Sequence, residues 1–69
     1  MSELFRLCKR VGEQLEATHA GDAMALLRAK GQLATKAGFL VTMVSPADVD
    51  DREKAARLRH AAAELRITL

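Results

Sequence analysis

Nucleophilic catalysis needs a thiol or hydroxyl beside a base, and Cys8 with His19 or His60 are the residues of suitable type. Cys8, however, falls on an apolar helical stripe with Leu4 and Val11, where a free cysteine behaves as a small buried side chain. His19 lies in a stretch typical of a turn, and His60 lies among charged residues, as solvated histidines do. We therefore expect no catalytic residue and no enzymatic activity.

Metal and phosphate sites are equally poorly supported. Asp48-Val49-Asp50 begins like a calcium-binding loop, but Arg52 and Glu53 occupy positions that require a ligand and a glycine. The sequence has no paired-cysteine motif, no histidine pair at helical spacing and no glycine-rich phosphate loop. We expect no metal and no cofactor, and no small-molecule substrate is evident.

One segment resembles the helix-turn-helix signature of phage-repressor-type regulators. The matching residues are Leu33-Ala34-Thr35-Lys36-Ala37-Gly38-Phe39, followed by Val44-Ser45. Ala34 would let two helices approach and Gly38 would form the turn between them. The pattern departs from the family at Pro46, inside the would-be recognition helix, and residues 42–49 contain no Arg, Lys, Asn or Gln to contact bases. The resemblance implies a small DNA-binding transcriptional regulator, which is our alternative function.

A second indication of nucleic-acid binding is a basic stripe. Arg52, Arg59 and Arg66 are spaced by sevens and would lie along one face of a helix, as phosphate contacts require. A solvated helix face, balanced by Asp51 and Glu64, explains the same residues without a ligand. We favour the solvated face and assign the three arginines to the DNA-binding alternative only.

The periodicity of apolar residues predicts a mainly α fold with three helices, at about residues 3–18, 22–37 and 46–66. Ser2 and Asp22 are suitable N-caps, and Gly38 is a typical helix stop. Ser45-Pro46-Ala47-Asp48 has the pattern of a helix start, with proline at the first helical position. Residues 39–44 are ambiguous, because a β-branched run after a glycine indicates a short strand while the apolar spacing continues the second helix.

Length and composition limit the remaining possibilities. The chain has 69 residues and only 3% aromatic residues, so we expect residues 1–69 to form a single small helical domain with an aliphatic core. The net charge of +2 is too small to indicate a nucleic-acid partner by itself. A single cysteine, no signal-peptide pattern and no apolar run near the roughly 20 residues of a membrane span lead us to expect a cytoplasmic protein.

The apolar run Phe39–Val44 is the strongest candidate for a functional surface. A three-helix domain of this size has too little interior to bury it all. We predict that the chain is a protein–protein interaction module, an adaptor, chaperone or inhibitor of bacterial or phage origin, which acts as a homodimer and binds no membrane. The predicted interaction surface comprises seven residues: Leu33, Ala37, Phe39, Leu40, Val41, Met43 and Val44.

Overall fold

The computed structural model describes residues 2–69, and its first helix, α1, spans Glu3–Thr18. The Ser2 side chain accepts a hydrogen bond from the backbone N–H of Phe5 (3.0 Å), as an N-cap should. One side of α1 is buried along its whole length, through Leu4, Leu7, Cys8, Val11 and Leu15. The helix predicted over residues 3–18 is confirmed.

The second helix, α2, spans Ala23–Ala37 and is closed at both ends by the residues that its sequence suggests. The Asp22 carboxylate accepts from the N–H of Ala25 (3.0 Å). Gly38 has a left-handed φ of 81°, and its N–H donates to the carbonyl of Ala34 (2.8 Å). The predicted span of 22–37 is therefore correct to within one residue.

The connector, residues 39–50, is neither the strand nor the helix continuation that the sequence left open. It contains one short 3-10 helix, Val41–Met43, and is otherwise irregular. The left-handed Gly38 ends α2 before the apolar spacing can extend it, and Val41 then turns into the core. No strand occurs within residues 2–69, so the β-branched run has no partner with which to pair.

The third helix, α3, spans Arg52–Glu64 and begins six residues later than predicted. The Ser45-Pro46-Ala47-Asp48 pattern forms a turn instead, in which the N–H of Ser45 donates to the Asp48 carboxylate (2.8 Å). Asp51 is the N-cap, since its carboxylate accepts from the N–H groups of Glu53 and Lys54. The helix also ends two residues early, where Arg66 adopts a left-handed φ of 58°.

The three helices share one aliphatic core. Helix α3 packs against both α1 and α2, and the 3-10 helix packs against α1. Val11, Leu33 and Leu58 are the largest side chains that are fully buried, one from each helix. No buried polar side chain accompanies them among residues 2–69. The mainly α, three-helix fold class is confirmed.

Candidate interaction surface

The structure divides the seven residues of the predicted interaction surface into three groups. Leu33, Ala37 and Val41 are buried in the core, so their inclusion in a surface is wrong. Apolar periodicity identifies residues that avoid water, but it does not distinguish a core from an interface. Phe39 and Val44 are half-buried and pack against the core.

Leu40 and Met43 are the exposed members of the predicted surface. Their side chains are 57% and 74% exposed, and we call this pair the connector patch. The N–H of Met43 donates to the carbonyl of Leu40 (3.0 Å), which closes the 3-10 turn around the buried Val41. Within this turn Val41 alone is buried, while Leu40, Thr42 and Met43 face outward.

The connector is held in place on both sides of this patch. Before it, the Phe39 ring lies beneath the ammonium of Lys54, 5.5 Å from nitrogen to ring centroid. After it, the Asp50 carboxylate accepts from the N–H of Leu4 in the first turn of α1 (3.1 Å). That N–H is one of the donors that the start of a helix leaves without a partner inside the helix. The hydrogen bond therefore satisfies this donor and also anchors the connector to α1.

A second exposed apolar pair lies on α2, and the sequence analysis missed it as a surface. Met24 and Leu27 are 63% and 66% exposed, and we call them the α2 patch. At about 100° per residue, Leu27 lies roughly 120° and Met24 roughly 180° around the helix from the buried Leu33. This angular separation was available in the sequence, because one helical stripe cannot contain Met24, Leu27 and Leu33.

The features assigned to the DNA-binding alternative do not assemble. Residues 42–49 form no recognition helix, since only the 3-10 helix lies in this part of the connector. Arg66 lies beyond the end of α3, and Arg59 forms an ion pair with Glu3. Arg52, Arg59 and Arg66 therefore do not form a continuous stripe on one helix, and DNA binding stays an untested prediction.

Cys8 is buried among apolar side chains, as its place on the stripe predicts. Burial raises the pKa of its thiol, and the nearby Lys54 charge offsets this only in part. A thiol with a raised pKa holds less of the reactive thiolate at neutral pH. His60 instead pairs with Glu64 on the surface of α3 (2.8 Å).

Two further kinds of site are absent from residues 2–69. No helix within residues 2–69 has the length and apolar character needed to cross a bilayer. No group of three or more His, Cys, Asp or Glu residues in the described chain could hold a metal ion.

No protein-family model matches the chain, and no curated protein or solved structure matches it significantly.

Proposed function

We propose that the chain is a non-enzymatic protein–protein interaction module that acts as a homodimer through its connector patch. The observation that carries this proposal is the exposure of Leu40 and Met43, at 57% and 74%. Large apolar side chains exposed to water near each other in the chain are a feature of interfaces, because covering them is favourable.

The anchoring of the connector supports the same function. Val41 is buried, Phe39 is covered by Lys54, and Asp50 is tied to the backbone of α1. A patch that is already ordered loses little conformational entropy on binding, so more of its apolar burial appears as affinity. The connector is thus a preorganised binding element rather than a flexible link.

A second copy of the chain is the partner that this patch suits best. Residues 39–47 carry no charged side chain, so two copies brought together would desolvate no charge at the centre of the contact. A twofold interface pairs the same surface with itself, and an uncharged apolar patch meets that requirement without a complementary partner. Flanking polar and charged residues would then form the rim.

The experiment is sedimentation equilibrium on the wild-type chain and on three variants. We expect a wild-type dimer, and a monomer for the double variant Leu40→Asp with Met43→Asp. Ala56→Asp is the control for the added charge, because Ala56 is exposed on α3 and lies outside the connector. It should remain dimeric, and circular dichroism should show all variants to be helical.

The third variant, Met24→Asp with Leu27→Asp, locates the interface. It should remain dimeric if the connector patch forms the contact. A monomer for this variant, together with a dimer for the connector variant, would move the interface to the α2 patch. A wild-type chain that is monomeric at every concentration would contradict the homodimer.

A further inference from the structure

A cleft that the interaction surface does not use lies between the end of α1, α2 and the segment that follows α3. Its volume is about 470 Å³, within the range of small-molecule sites. Gln14 and Thr18 of α1, Arg28 and Gln32 of α2, and Arg66 after α3 contribute polar groups to its walls. Three segments distant in sequence thus converge on one space.

The charged side chains that line this cleft are both basic. They are Arg28 and Arg66, and no Asp or Glu side chain lines it. Two arginines of α3 are paired within the fold, Arg57 with Glu53 and Arg59 with Glu3. Neither Arg28 nor Arg66 forms an ion pair with any side chain of residues 2–69. Their positive charge is available to a ligand.

Arg66 reaches the cleft because of how α3 ends. The N–H of Ile67 donates to the carbonyl of Ala62 (2.8 Å), and the N–H of Arg66 donates to that of Ala63 (3.1 Å). These two bonds define a Schellman motif, whose left-handed position is usually glycine. Here Arg66 occupies it with a φ of 58°, while Ile67 packs onto the core.

The cleft also has apolar lining residues. Leu15, Ala29, Leu65 and Ile67 are buried or half-buried, whereas Arg28, Gln32 and Arg66 are exposed at its rim. The Thr18 hydroxyl already donates to the carbonyl of Gln14 (2.9 Å), so the free donors at the rim are mainly the guanidinium and amide groups. The cleft therefore pairs an apolar floor with cationic donors, which suits a ligand that is itself amphipathic.

We propose that this cleft binds a small organic anion in which a carboxylate is attached to an apolar body. The guanidinium groups of Arg28 and Arg66 would hold the carboxylate, since planar guanidinium and carboxylate groups match in geometry. The apolar body would lie on Leu15, Ala29 and Ile67. This site is distinct from the connector patch and does not depend on self-association.

The test uses 2-naphthoate as the probe and 2-naphthamide as its uncharged match. The chain contains no Trp or Tyr, so the naphthyl fluorescence is not obscured by the protein. We expect saturable 1:1 binding of the naphthoate and at least about tenfold weaker binding of the amide, because a hydrogen bond to a charged group contributes that much. Amide chemical shifts in NMR spectra should change at Thr18, Gln32 and Ile67.

Two variants test the arginines, and neither should unfold the chain. Arg66→Gly places glycine at a left-handed position that favours it, and Arg28→Gln replaces one exposed helical residue with another good helix former. Each should weaken naphthoate binding about tenfold. Arg52→Gln, at the opposite end of α3, is the control and should bind as wild type does.

Several results would overturn the site. Equal affinity for the acid and the amide would show that the ligand's charge is not recognised. If Arg52→Gln weakened naphthoate binding as much as the two cleft variants do, the binding would reflect only the overall positive charge of the protein. Shifts confined to Leu40 and Met43, or no saturation at millimolar naphthoate, would show that the cleft is not a binding site. The double variant of the connector patch should bind naphthoate as wild type does, which separates this test from that of the homodimer.

Discussion

Helices α1 and α2 are nearly equal in length but differ in how they use their apolar residues. Helix α1 buries five side chains along its full length, with Leu4 near its start and Leu15 near its end. Helix α2 buries only Leu33 and Ala37, both in its C-terminal half. Its N-terminal half leaves Met24 and Leu27 largely in water.

The two helices thus show two roles of apolar residues, burial in the core of the domain and exposure on its surface. Helix α1 presents a single apolar face, and the domain buries that face in its core. Helix α2 presents apolar residues on two faces, and the domain covers only one of them. The second face adds little to the stability of the isolated fold, because its side chains are 63% and 66% exposed, so its apolar character is better suited to contacts outside the fold.

The largest expected effect compares three leucine-to-alanine variants. Leu15→Ala and Leu33→Ala should each lower the free energy of unfolding by about 2–5 kcal/mol, because both side chains are buried. Leu27→Ala should change it by no more than about 0.5 kcal/mol, because that side chain is 66% exposed. Urea denaturation followed by circular dichroism measures all three.

Leu27→Ala is the informative member of this set. It should be measured at a concentration where the chain is monomeric, so that an interface cannot contribute. A loss comparable to that of Leu33→Ala would show that α2 packs through both faces within one chain, and the contrast between the helices would disappear.

A smaller effect is expected at the N-caps of the two helices. Ser2→Ala and Asp22→Ala should each cost about 1 kcal/mol, because each side chain accepts a hydrogen bond from a backbone N–H in the first turn. Their local consequences should differ. In α1, Leu4 is buried and its N–H also donates to Asp50, whereas the first turns of α2 have no buried side chain.

Amide hydrogen exchange distinguishes these consequences. Asp22→Ala should accelerate exchange at residues 26–30 much more than Ser2→Ala accelerates it in the corresponding part of α1. Equal acceleration in the two helices would mean that the first half of α2 is anchored as firmly as α1, contrary to the burial pattern.

The parts of the fold predicted correctly depend on local signals. The start of α1 and both ends of α2 follow from Ser2, Asp22 and Gly38, each of which acts on its own first or last turn. The predicted start of α3 was wrong because two capping patterns, one at Ser45 and one at Asp51, lie close together. Ser45 begins a turn closed by the Asp48 carboxylate, and Asp51 starts the helix.

The surfaces were harder to predict because they depend on tertiary packing. Only the burial of Val41 against the core decides that Leu40 and Met43 face outward. The cleft draws Gln14, Arg28 and Arg66 from three segments, and no spacing within one segment brings them together. The apolar run that predicted the surface mixes buried and exposed residues, and no sequence motif corresponds to the cleft.

The smallest expected effect is a change in how stability depends on pH. It concerns the ion pair that links the C-terminal half of α2 to α3. The Lys36 ammonium donates to the Glu64 carboxylate of α3 (2.8 Å). This hydrogen bond and the charge of Lys36, with a further contribution from His60, hold the pKa of Glu64 below its ordinary value. The folded state therefore favours the ionised carboxylate. Its stabilisation is present above the pKa of the unfolded state and is lost as pH falls through the folded value.

Urea denaturation at a series of pH values tests how much this ion pair contributes to holding α2 against α3. Between about pH 6 and pH 3, the wild-type urea midpoint should fall slightly more than that of Glu64→Gln, which has no proton to gain. Glu16→Gln, at an exposed α1 glutamate with no ion pair to another described residue, should instead follow the wild type. The difference should shrink in high salt, because both partners are partly exposed. Identical slopes for wild type and Glu64→Gln would leave Leu33 and Ala37 as the contacts that hold α2, and would make its contrast with α1 sharper still.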